Sequence, residues 1–85
     1  MPSQTIAQVE AAAVRFEGDV LHLALTDGRE VAVPLPRVPW LAWLLRATPE
    51  QRERWSLEPG GFAVYWDELD DGFEVAHLLS LQPLG

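Results

Sequence analysis

Two short alternating runs on either side of one Asp-Gly step constrain this chain more than any other stretch. They lie in Val20–Leu35, VLHLALTDGREVAVPL. Side chains alternate along a strand, so Leu21, Leu23 and Leu25 share one face, with His22 and Ala24 on the other. Val31, Val33 and Leu35 then share a face in the second run. Asp27-Gly28 between such runs predicts a hairpin turn, because glycine accepts a positive φ without a steric penalty. Pro34 has no N–H to give a ladder, so the second strand is expected to end there or to lie on an edge.

The flanking chain extends this hairpin into a meander. Residues 12–16 read as a strand with Ala12, Val14 and Phe16 inward and Ala13 and Arg15 outward. Glu17-Gly18-Asp19 is a tight turn into the strand at Val20. Three strands joined by short turns run antiparallel.

Prolines 34, 36 and 39 end that sheet. Trp40–Ala47, WLAWLLRA, is apolar almost all round and reads as a buried helix. Trp40, Leu41, Leu44 and Leu45 are its expected core positions, while Trp43 is open to two readings, core or partner surface. Thr48-Pro49-Glu50-Gln51 predicts a second helix, with Thr48 as cap, Pro49 at the first position and Gln51 closing a capping box. It is expected to run to Trp55 with Arg52, Glu53 and Arg54 on a solvated face. Residues 56–58 read as a brief extended segment and Pro59-Gly60-Gly61 as a turn. Phe62–Trp66 is the last clear strand, with Phe62, Val64 and Trp66 on one face and Tyr65 on the other. An acidic corner follows, DELDDGFE, with Asp70 or Asp71 placed to cap a closing helix from Val75 to Leu81.

These elements predict an α+β fold. A small antiparallel β-sheet, formed by the N-terminal three-stranded meander plus a later strand, packs with two or three short helices. Eighty-five residues at 48% apolar content make one small domain, 1–85, with loosely ordered ends at 1–10 and 82–85.

Composition narrows the chemistry. There is no cysteine, hence no disulfide or thiolate chemistry. No run approaches the ~20 apolar residues of a membrane span, and the N-terminus lacks the basic start and apolar core of a signal peptide. The cytoplasm is therefore the default compartment. Thirteen acids against six arginines, with no lysine, leave a net charge of −7. That sign opposes nucleic acid and anionic membrane and favours a basic partner.

Catalytic motifs are missing. Asp67 as the first position of a calcium loop puts Leu69 at the third and Leu78 at the twelfth, where oxygen ligands are required. His22 and His77 fall on separate elements. Ser3, Ser56 and Ser80 lack a nucleophile-elbow context. No catalytic, metal or cofactor residue is assigned, and the expectation is a protein without enzyme activity.

Three segments occurring in order carry a resemblance. They are Thr26-Asp27-Gly28-Arg29-Glu30 with Val33-Pro34-Leu35, then Ala47-Thr48-Pro49-Glu50-Gln51-Arg52, and then Trp66 followed by acids through Asp71. Together with Val14-Arg15-Phe16, Trp55 and Leu78-Leu79, they make residues 11–81 resemble the small bacterial family of domains of unknown function DUF2442. The resemblance implies an α+β domain with a small antiparallel sheet. It supplies no activity, but many relatives are encoded beside another small protein in arrangements resembling toxin–antitoxin pairs. This chain departs from the family pattern at Trp43 and in the acidic corner, where Tyr65-Trp66-Asp67 replaces a His-Trp-Pro run.

The expected function is thus a protein-interaction module, in its narrower form the antitoxin-like partner of a small protein encoded nearby. Its expected contact set is Trp43, Tyr65, Trp66, Asp67, Glu68, Asp70, Asp71 and Glu74. A DNA-associated regulator using Arg46, Arg52 and Arg54, and a small metal-dependent enzyme, are the alternatives. Self-association through an edge strand is compatible with each.

Overall fold

The Leu25–Arg29 turn organises the first sheet. In the computed structural model, which describes residues 9–80, β1 (Ala11–Glu17), β2 (Val20–Leu25) and β3 (Glu30–Pro34) form an antiparallel sheet in the order β1-β2-β3. The β2–β3 loop is Thr26-Asp27-Gly28, one residue longer than the Asp-Gly step alone. Leu25 N–H donates to the Arg29 carbonyl at 2.8 Å, and Gly28 takes φ 94°. The Asp27 carboxylate holds this shape by accepting from Arg29 N–H at 3.0 Å and Arg29 Nε at 2.7 Å. Such carboxylate-to-backbone bonds favour turns over strands.

The predicted alternation holds in β2 and β3, where Leu21, Leu23, Leu25, Val33 and the following Leu35 are buried. Pro34 closes an edge strand, as its missing N–H requires. In β1 Val14 and Phe16 turn inward and Ala13 and Arg15 outward as expected, and the departure is at Ala12. Ala11 is buried and Ala12 exposed, because the register shifts between Ala11 and Ala13. A bulge of this kind inserts one unpaired residue and reverses the faces on its two sides. Glu10, within the expected loose end, is tied down: its carbonyl accepts from Thr26 N–H at 2.9 Å and its N–H donates to Thr26 Oγ1 at 3.3 Å. The rest of that expectation, residues 1–8 and 82–85, lies outside the described residues.

The apolar helix expected over Trp40–Ala47 is shorter. A 3-10 turn, Pro39–Leu41, leads into α1, Ala42–Leu45. Leu41 and Leu44 are fully buried, whereas Trp40, Trp43 and Leu45 are half-buried against the same core. α2 (Pro49–Arg52) starts with both bonds of the capping box, Gln51 N–H to Thr48 Oγ1 at 3.1 Å and Thr48 N–H to Gln51 Oε1 at 2.9 Å. It stops three residues before Trp55, which instead opens a strand and pairs with Trp66. Helix propensity yields here to cross-strand pairing and burial.

β4 (Trp55–Leu57), β5 (Ala63–Trp66) and β6 (Asp71–Glu74) make a second antiparallel sheet in the order β4-β5-β6. The later strand of the sequence reading is its central strand. β6 replaces half of the expected acidic corner: Phe73 is its one large apolar residue, too little for visible alternation, yet it pairs with Val64 and is buried. α3 (Val75–Ser80) follows β6 directly, so neither Asp70 nor Asp71 caps it. Residues from both sheets, Leu41, Leu44 and α3 form one core cluster, with Trp66 its largest fully buried side chain.

Arg52 is the largest departure from the expected surface. It is 8% exposed instead of lying on a solvated face. Its Nε donates to the Leu44 carbonyl at 3.1 Å, and its terminal nitrogens donate to the carbonyls of Gly18 at 3.0 Å and Leu45 at 3.0 Å and to Asp19 Oδ1 at 3.1 Å. The guanidinium also lies 5.3 Å from the centre of the Phe16 ring. A planar fork with five donors can serve several acceptors that a helix C-terminus and a tight turn leave free. Arg52 therefore joins the β1–β2 turn to α1 and α2.

Candidate functional site: the outer face of the second sheet

β5 decides where the expected contact residues go. Its alternation sends Val64 and Trp66 inward and Ala63 and Tyr65 outward. Trp66 is fully buried, and its Nε1–H donates to the Arg52 carbonyl at 3.0 Å. It is a core residue and leaves the set of surface anchors. Trp43 packs edge-on against Trp66 with ring centres 5.7 Å apart, so most of its role is also internal.

Tyr65 stays on the outer face, opposite Gly72 of β6. A Cβ at Gly72 would clash with the Val64 carbonyl and fall 2.9 Å from Tyr65 Cδ1, so the tyrosine ring occupies the space that a side chain there would need. The phenol donates to Asp70 Oδ1 at 2.6 Å. That hydrogen bond, followed by partial burial and the charges of Asp70, Asp67 and Asp71, pushes the Tyr65 hydroxyl up to about 12. Asp70 itself takes φ 52°, the one positive φ outside glycine among the described residues. A short polar side chain tolerates this left-handed conformation at the end of the Asp67–Leu69 turn.

The other acids disperse. Glu68 pairs with Arg54 Nη1 at 2.8 Å and accepts from Gln51 Nε2 at 3.4 Å, which ties it to α2. Asp71 Oδ1 accepts from Gly72 N–H at 2.8 Å. Asp67 and Glu74 are exposed. Among the described residues no three His, Asp or Glu side chains form a group that could hold a metal ion. The two histidines sit apart. His22 lies on the outer face of the first sheet, with Nε2 3.1 Å from Glu17 and Nδ1 3.3 Å from Glu30, while His77 meets the Trp40 ring at 4.7 Å.

A surface that the sequence reading missed lies beside Tyr65. Phe62, expected inward with Val64, precedes β5 and is 45% exposed. It borders a depression of about 240 Å³ that also includes Val9, Ala63, Glu74 and Ala76. A second depression of about 240 Å³, bounded by Tyr65 and Gly72, adjoins the first through Ala63 and Glu74. The result is a strip with an aromatic side chain at each end and a carboxylate between them. The signal for Phe62 was its neighbour Gly61, at φ 71°, which breaks the strand's alternation before it starts. A third depression, of about 290 Å³, lies between Phe16, Asp19 and Glu53, but its basic residue, Arg52, is already engaged with internal acceptors.

Comparison with known proteins places the architecture. A family model described as a protein of unknown function, DUF2442, matches residues 11–83. A crystal structure of a protein of unknown function from Rhodospirillum rubrum ATCC 11170 has the same fold, with a TM-score of 0.72 at 20% identity over 87% of this chain and 88% of that one. No curated protein matches the chain. Among the described residues no helix is long and apolar enough to cross a membrane.

Proposed function

We propose that this chain, which belongs to the DUF2442 family of proteins of unknown function, is a protein-interaction module that binds a basic partner through the outer face of its second sheet. The observation that carries the reading is the Phe62–Glu74–Tyr65 strip, two adjoining depressions on a chain of net charge −7. Exposed aromatic residues supply contact area, and unlike charge orients the encounter. In the narrower form of this reading, the partner is a small protein encoded nearby, neutralised in the cytoplasm as a toxin is by its antitoxin. Burial of Arg52 leaves the DNA-regulator alternative with a thinner basic set, Arg46 and Arg54.

The test is co-purification of the tagged chain with the product of the adjacent gene. Retention is expected, together with loss of at least nine-tenths of it in a Phe62→Ala, Glu74→Arg double variant whose melting curve matches the parent. Full retention by that variant would place the contact elsewhere. Absence of retention, with unchanged growth when the two are co-expressed, would remove the interaction reading.

A further inference from the structure

β6 is an edge strand, and the phase of its ladder shows which backbone groups it turns outward. Val75 N–H donates to the Phe62 carbonyl at 2.8 Å. In an antiparallel ladder the bonding direction alternates, so Asp71 and Phe73 face β5 and the backbone groups of Gly72 and Glu74 face away. Asp71 Oδ1 covers the Gly72 N–H. Glu74 directly precedes α3, where the residue before a helix lends its carbonyl to the first turn. The Gly72 carbonyl and the Glu74 N–H remain at the edge, and no other described residue hydrogen-bonds to either.

Beside this edge lie the exposed Glu74 carboxylate and the two depressions next to Phe62 and Tyr65. From the open backbone groups, that charge and those depressions we infer that β6 accepts an extended, basic segment of a partner protein as a fourth strand of the second sheet. The inference rests on the interaction reading above and names its mode.

Charge selects the occupant. Two of the four β6 residues are acids, Asp71 and Glu74. A second copy laid along this edge would bring like charges together, which opposes self-pairing. A strand bearing arginine or lysine at alternate positions meets Glu74 with opposite charge. Its neighbours along the outer face reach the depressions beside Phe62 and Tyr65. Main-chain bonds then give affinity, and alternate side chains give specificity, as in other strand-addition complexes.

Two end-blocked peptides of equal charge test this on the full chain, Arg-Val-Arg-Val-Arg-Val and the same sequence methylated at every backbone nitrogen. The second has no N–H to donate on either side and cannot complete a ladder in any register. Titration followed by amide NMR shifts is expected to show the unmethylated peptide moving Gly72 and Glu74. Affinity should be at least tenfold weaker for the methylated peptide, and at least tenfold weaker for the unmethylated peptide against Glu74→Arg. Equal affinity of the two peptides would overturn strand addition while leaving a basic partner in place. Shifts that map away from β6, or no binding by the unmethylated peptide, would also overturn it. Retention of the adjacent gene product in that last case would show that the interaction reading survives on its own.

Discussion

Arg52 shows how far one residue can differ from its sequence reading. Followed by Glu53 and Arg54, it looks like surface charge, yet it donates four hydrogen bonds from a buried position. Removing one partner of a buried charged network leaves its acceptors unpaired, which costs about 3 kcal/mol. Arg52→Ala is expected to lower the urea unfolding free energy by that amount. Arg52→Lys should recover less than half of the loss, since an ammonium cannot reproduce the planar fork. An unchanged midpoint in Arg52→Ala would contradict the joining role.

Tyr65 allows a second residue-scale measurement, because it is the one tyrosine in the chain. Its hydroxyl is raised to about 12 by Asp70 and its surroundings. The neutral phenol is the form that donates to Asp70. Its contribution to stability is therefore fully present below the ordinary tyrosine value of about 10 and is lost as pH rises from there towards about 12. Tyrosinate absorbance should titrate near the upper value in the parent and move down by a unit or more in Asp70→Asn. Coincident titration curves would contradict the hydrogen bond as the main cause.

At the scale of elements, the second sheet depends on a close approach and the first on a turn. Gly72 has no room for a Cβ, being hemmed in by the Val64 carbonyl and the Tyr65 ring, whereas a Cβ at Gly28 meets nothing within 4 Å. Gly28→Ala is therefore limited to the strain of a positive φ, of order 1 kcal/mol. Gly72→Ala adds overpacking against backbone, about 1–3 kcal/mol. Denaturant midpoints should rank Gly72→Ala below Gly28→Ala, and the reverse order would contradict the packing described here. Elements with strong local signals were legible: the β2–β3 hairpin, the Thr48–Gln51 capping box, the central strand at Val64–Trp66. β6 and the β1 bulge were not. Asp71-Gly72-Phe73-Glu74 has one large apolar residue, and Ala11-Ala12-Ala13 offers three equivalent choices of phase.

At the scale of the whole molecule, the net charge of −7 gives long-range attraction to a basic partner. Association with the adjacent gene product should slow by roughly tenfold between about 0.05 and 0.5 M salt, as the screening length shortens. Dissociation should change much less. Stopped-flow measurement separates the two, and a salt-independent association rate would remove steering from the account.

The sequence by itself determined the α+β class, the first meander and the capped α2, because those depend on turn chemistry, alternation and caps that act over a few residues. Tertiary structure decided the rest. It took Trp66 from the expected contact set into the core, since a second sheet turned that face inward. It drew Arg52 inward to carbonyls 7, 8 and 34 residues away in the chain. It also brought Phe62, Glu74 and Tyr65 to one surface, an adjacency set by the β5–β6 register and by no local pattern.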